Sequence, residues 1–201
     1  MKKIVVASNN RHKISEIEAM LAKIYGGEIK ALSLSDIGFT KEIEENGKTF
    51  EENAEIKARA AAALGYTAIA DDSGLCVDAL DGKPGIYSAR FAGEPCSDAE
   101  NNKKLLALMA DVPDEKRGAK FVCVLCCITS DGRELFARGE CPGTILHRAK
   151  GEGGFGYDPL FLYENGKSFA ELSPEEKNKV SHRERAMARF AELAKETKIL
   201  D

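Results

Sequence analysis

The sequence predicts an α/β fold built on a mixed β-sheet flanked by helices. Stretches with helical periodicity alternate with isolated apolar runs of strand length, the pattern of strands joined by crossover helices. A Ser130-Asp131-Gly132 turn signal joins two further strand-like runs and adds a hairpin. With 201 residues and a 43% hydrophobic fraction, the chain has material for a core in one domain or two tightly joined lobes.

The elements follow in order. Residues 2–7 read as a strand. Ser8, Asn9 and Asn10 supply N-cap chemistry for a helix over 12–24, with Ile14, Ile17, Leu21 and Ile24 on one face. Gly26 and Gly27 end it, and 28–32 reads as a second strand. A helix is expected over 49–64, where alanines allow close packing. Two strands should then flank a turn at Asp71 and Asp72, with Ser73 and Gly74 bending the chain. Residues 80–96 read as a loop and 97–110 as a helix. The hairpin strands fall at 121–129 and 134–139, a glycine-rich loop at 150–159 and a short strand at 160–163. Capping boxes at Ser173–Glu176 and Ser181–Glu184 open two helices, the last with Ala186, Phe190, Leu193 and Ala194 inward.

Composition removes several classes of function. A net charge of −4 gives no overall field favouring nucleic acid, although local basic clusters can hold small polyanions. The run Ile4, Val5, Val6, Ala7 is shorter than the roughly 7–15 residues of a signal-peptide core. Nothing approaches the roughly 18 apolar residues of a membrane span. The expectation is a cytoplasmic protein that meets neither membrane nor nucleic acid. Cys123 and Cys126 lie in a strand-like run, where alternation sends them to opposite sides, so they cannot chelate one metal without a kink. Together with Cys76, Cys96, Cys127 and Cys141 they read as reduced thiols, mostly packing as small hydrophobes.

Five places can carry chemistry. Asp71 and Asp72 follow an apolar run, and burying both calls for a lysine, an arginine or a divalent cation nearby. The plainer alternative is a turn capped by one of them. Ser8, Asn9, Asn10, Arg11, His12 and Lys13 sit at a strand-to-helix junction that suits a phosphate or serves as an ordinary cap. The acids from Glu42 to Glu55 read as solvated helix-start residues, one of which can return as a metal ligand. Phe155, Gly156, Tyr157 and Asp158 form an aromatic-glycine loop suited to base stacking, or to a core plug. Lys177, His182 and Arg183 lie around the start of the last helix, where positive charge opposes the dipole.

The segments S-N-N-x-x-K, T-F-E-E-N-A-x-x-K-A-R, A-D-D-S-G-L-x-V-D-A-L, P-G-I-Y-S-A-R, G-G-F-G-Y-D-P-L-F and E-K-N-x-x-S-H-R occur in that order. With them the chain closely resembles the inosine/xanthosine triphosphate pyrophosphatase family. The resemblance implies Mg2+-dependent hydrolysis of ITP, dITP and XTP to the monophosphate and pyrophosphate. It also implies an elongated mixed sheet in two lobes with a nucleotide-binding cleft between them, and a homodimer. Carried onto this chain, the phosphate contacts are Ser8 to Lys13, with Lys57 and Lys177. The catalytic, metal-binding carboxylate is Asp72, with Ser73 beside it, and Asp71 is its structural alternate. The second metal ligand is Glu45, with Glu44 close by. The base site is Phe155 to Asp158 with His182 and Arg183.

Overall fold

The computed structural model describes residues 2–8, 10–27 and 29–200, apart from the His12 side chain. Strand β1 (Lys2–Val6) leads to helix α1 (Arg11–Tyr25), which Gly26 ends at a φ of 70°. Strand β2 (Ile29–Leu32), helix α2 (Phe50–Ala62) and strand β3 (Thr67–Val77) follow. Then come helix α3 (Asp98–Leu108), strands β4 (Gly118–Ile128), β5 (Glu134–Ile145) and β6 (Phe161–Leu162), and helices α4 (Pro174–Val180) and α5 (His182–Thr197). The strands form one sheet in the order β2-β1-β3-β4-β5-β6. β1 pairs in parallel with β2 and β3, and β5 pairs antiparallel with β6, so the sheet is mixed.

One expected element is corrected. The chain does not turn at Asp71 and Asp72: β3 runs straight through Asp71, Asp72, Ser73 and Gly74. It lies between β1 and β4 in the sheet. Ladder pairing and the apolar runs on either side outweigh the local turn preference of these four residues.

The chain divides into two compact units, each with its own core. The first comprises 1–72, 123–139 and 186–201. Its core gathers Ile4, Val6, Ile17, Leu21, Ile69, Leu125 and Phe190, so the apolar stripes of α1 and α5 are both spent here. The second comprises 73–122 and 140–185. Its core is aromatic: Phe121 lies 4.6 Å from Phe161 and 5.7 Å from Phe169, ring to ring. Arg117 is buried in the same unit and donates to the carbonyls of Met109, Val112, Ile145 and Leu146. Four backbone carbonyls thus take four of its five N–H donors. No helix among the described residues is long and apolar enough to cross a membrane.

Cys123, Cys126, Cys127 and Cys141 are buried, Cys76 is half-buried and Cys96 is exposed. Burial pushes the Cys126 thiol up, that of Cys127 to about 12 and that of Cys141 to about 11. A thiol-specific reagent is therefore expected to label Cys96 quickly in the native protein and Cys76 slowly. The other four should react only on unfolding. Rapid native labelling that survives Cys96→Ser would contradict this packing.

Candidate active site

The two carboxylates of β3 point to opposite faces, because side chains alternate along a strand. Each meets its own lysine. Asp71 is buried and accepts from Lys13 Nζ at 2.8 Å. Asp72 Oδ1 accepts from Lys57 Nζ at 3.2 Å, and its Oδ2 from Asn53 Nδ2 at 3.3 Å. Lys57 also donates to Glu45 Oε2 at 3.0 Å. Of the neighbouring acids, Glu45 reaches the cluster while Glu44 is exposed.

Local sequence explains this placement. Thr49 caps α2 by accepting from Glu52 N at 3.1 Å, and Glu52 in turn accepts from Lys48 N at 2.6 Å. Asn53, one residue on, is almost fully buried; its Oδ1 accepts from Gly47 N at 2.9 Å while its Nδ2 holds Asp72. One carboxamide thus ties the Glu45 loop to the Asp72 carboxylate. Gly47 is needed for this: a Cβ there would sit 2.7 Å from Asn53 Oδ1 and 2.8 Å from Glu52 Cβ. Sequence reasoning passed over Asn53. Its signal was a carboxamide among the alanines of a helix face, where a buried polar group must have partners.

The electrostatics agree from both sides of the pair. Burial raises the Asp72 pKa and Glu45 adds to the rise; Lys57 and Asn53 oppose it without cancelling it. Burial works against the charged form of Lys57, yet Asp72, Glu45 and Asp71 outweigh it and hold its pKa above the ordinary value. The Asp72 shift is chiefly the cost of burying its charge, while the Lys57 shift reports the acids around it; Asp72 and Glu45 share that one lysine, a surplus of negative charge that an added cation relieves. Glu45 and Asp72 offer hard oxygen donors. Among the described residues no group of three or more His, Cys, Asp or Glu side chains gathers into a metal cage. Two carboxylates, with water and substrate oxygens completing the shell, suit a small divalent cation.

The phosphate segment lies at the start of α1. Ser8 Oγ accepts from Asn10 N at 3.0 Å, and Asn10 Oδ1 accepts from Lys13 N at 3.3 Å, so capping is present there. Arg11 is exposed. Asn9 and the His12 side chain lie outside the described residues. Ser73 follows Asp72 in β3 and is half-buried.

The second unit carries the remaining candidates. Phe155 is 66% exposed, the most open large apolar side chain among the described residues. Lys177 Nζ lies 4.3 Å from its ring centre and pairs with the buried Asp158 carboxylate. Asp158 Oδ2 also accepts from Phe155 N at 2.9 Å. Lys177, expected at the phosphates, is thus engaged on Asp158 and over an aromatic face. A Cβ on Gly154, whose φ is 73°, would stand 2.2 Å from Asp158 Oδ2, so glycine lets this loop close on the carboxylate. Tyr157 is buried and its hydroxyl donates to Ser88 O at 2.8 Å. Burial raises its pKa. His182 stacks on Phe121 at 5.0 Å with the rings 17° apart. Ser181 Oγ caps α5 by accepting from Glu184 N at 3.2 Å, with His182 and half-buried Arg183 in the first turn.

The Ham1 family model matches residues 4–193. The chain belongs to the Ham1 family. A dITP/XTP pyrophosphatase of Geobacter sulfurreducens is 52% identical over 190 residues, covering 94% of this chain and 94% of that protein. One from Desulforamulus reducens is 51% identical over 194 residues, covering 95% and 94%. The solved Ham1 protein of Staphylococcus aureus superposes with a TM-score of 0.89 at 42% identity, covering 98% of this chain and all of that one. A nucleoside-triphosphatase / dITP/XTP pyrophosphatase from Mycobacterium abscessus superposes with a TM-score of 0.80 at 44% identity, covering 92% and 97%. This Ham1 chain therefore has the family's mixed α/β architecture from end to end.

Replacing Lys57 by Met leaves Asp72 and Glu45 without their shared cation. This is expected to lower the unfolding free energy by about 3 kcal/mol, and adding Asp72→Asn to the same chain to restore part of the loss. Urea unfolding of the two single variants and the double variant measures the coupling; strict additivity would refute it.

Proposed function

We propose that this chain hydrolyses deaminated purine nucleoside triphosphates (dITP, ITP and XTP) to the monophosphate and pyrophosphate, with Mg2+ as cofactor. The activity class follows from relatives that match nearly the whole chain and are dITP/XTP pyrophosphatases. The observation that carries the chemistry is the Asp72–Lys57–Glu45 cluster, with its excess negative charge and its oriented carboxylate.

A triphosphate brings about four negative charges. Lys13, Lys57 and the first turn of α1, with Ser8 and Asn10 leading into it, supply the positive charge and N–H donors to receive them. Glu45 and Asp72 would hold Mg2+, which would supply Lewis-acid charge to the triphosphate. Asp72 orients a water toward the α-phosphorus and takes its proton. Its raised pKa makes it a better base than an ordinary aspartate, although a bound cation pulls that pKa back down. The water oxygen bonds to phosphorus as the bond to the bridging oxygen breaks, and pyrophosphate leaves with the electron pair. Asn53 and Lys57 each hold one oxygen of Asp72, so the base enters the reaction already aligned.

The second unit reads the base. Phe155 provides a stacking face, with Lys177, Gly156, Tyr157 and Asp158 shaping the loop around it. His182 and Arg183 donate to the O6 acceptor of hypoxanthine or xanthine. Adenine presents an amino donor at that position and leaves them unpaired, which a hydrogen-bonding site can reject by about 10^4-fold. The enzyme acts in the cytoplasm, where the nucleotide pool is, and works as a homodimer. Tyr87 and Leu108, large and exposed on the second unit, are the kind of surface a second copy would cover. Sedimentation of the purified chain checks the dimer.

With Mg2+ the purified protein is expected to convert ITP to IMP and pyrophosphate, and chelation with EDTA to stop it. Release of orthophosphate alone would exclude the proposed bond cleavage. Asp72→Asn is expected to lower kcat by about 10^3-fold while leaving the thermal midpoint at or above that of the parent. Asp71→Asn should cost far less in kcat. A reversed order would move the base to Asp71.

A further inference from the structure

We propose that Asp98 and Asn102 of α3 are positioning residues for the base-binding loop, holding both backbone polar groups of Gly156 and so setting the placement of Phe155. Asp98 Oδ2 accepts from Gly156 N at 2.7 Å. Asn102 Nδ2 donates to Gly156 O at 2.8 Å. The two side chains stand one helical turn apart on one face of α3, the spacing that brings neighbours together on a helix. The inference rests on the reading of Phe155 as the stacking surface.

The loop needs such a device. Gly151, Gly153, Gly154 and Gly156 surround Phe155, and Gly154 and Gly156 have positive φ, at 73° and 60°. Glycines impose little conformational preference of their own, so an unheld loop would have to be ordered by the substrate, at a cost in affinity. Phe155 is not held by core packing, since most of its surface is open. The loop is anchored on either side of Gly156 by Asp158, which accepts from Phe155 N, and by the Tyr157 hydroxyl on Ser88 O. Gly156 lies between these anchors, and α3 supplies its two bonds.

A purely stabilising role fits less well. α3 is already fixed by Leu105 and Met109 in the core and by Asn101, which bonds Ala92 N and the carbonyls of Ser88 and Ala89. Asn102 Oδ1 is buried without a hydrogen-bond partner among the described residues. A side chain chosen for stability alone has no reason to bury an unmet acceptor. Keeping the donor aimed at Gly156 is such a reason.

Steady-state kinetics with ITP and Mg2+ test the proposal. Asp98→Ala and Asn102→Ala are expected to raise KM about 10-fold with kcat within about 2-fold of the parent. Asp98→Asn retains an acceptor for Gly156 N and should restore KM to within about 2-fold. Inhibition by inorganic tripolyphosphate, which has no base, should be unchanged in all three. Unchanged KM in both alanine variants overturns the proposal, as does a tripolyphosphate inhibition constant that rises in step with KM. Should Asp98→Ala not fold, Asn102→Ala decides by the same criteria. Phe155→Ala separates this proposal from the reading beneath it. If that variant leaves KM unchanged, the stacking surface itself is misplaced. If it raises KM while the α3 variants do not, only the positioning role fails.

Discussion

A lysine meets each of two adjacent carboxylates from its own side of β3, and the rest of the first unit is arranged around that fact. Bare burial of one carboxylate costs several kcal/mol, so neither Asp71 nor Asp72 is tolerable there alone. Lys13 must therefore come from the first turn of α1 and Lys57 from the middle of α2. This requirement ties two helices to one strand by charge as well as by packing. It also leaves a polar seam beside a core of aliphatic side chains, methionines, cysteines and Phe190.

The balance of that seam is uneven. Asp71 has Lys13, but Asp72 and Glu45 share Lys57. Burial is the main reason the Asp72 pKa rises, and the surrounding acids are the reason the Lys57 pKa rises. A protein selected for stability alone would neutralise or remove the surplus charge. Retaining it, with Asn53 holding the second oxygen of Asp72, keeps that carboxylate oriented, as the proposed role of base and cation ligand requires. The second unit follows a different logic. Its Lys177 is satisfied by Asp158 and lies over Phe155, and His182 lies flat on Phe121.

Much of this was legible in the chain. The stripe of Ile14, Ile17 and Leu21, the paired glycines after it and the capping box at Ser173–Glu176 marked helix bounds that the fold reproduces within a few residues. Asp71 and Asp72 were recognised as acids in need of partners. Their backbone was misjudged, because Asp, Ser and Gly favour turns in isolation and the ladder on either side of β3 overrides them. Asn53, Asp98 and Asn102 escaped notice for a related reason. A carboxamide or a helix-start acid looks like any surface residue until its partner, distant in sequence, is known.

The sequence by itself determined the alternation of helices and strands, the apolar faces and the ordered motifs that mark the Ham1 family, because these depend on short-range periodicity and local capping. Only the tertiary structure decided that Asp72 shares Lys57 with Glu45 rather than Glu44, that Lys177 engages Asp158, and that α3 grips Gly156. These pairings close over long separations along the chain. Which charge meets which is settled by how strands and helices pack, and no local pattern encodes it.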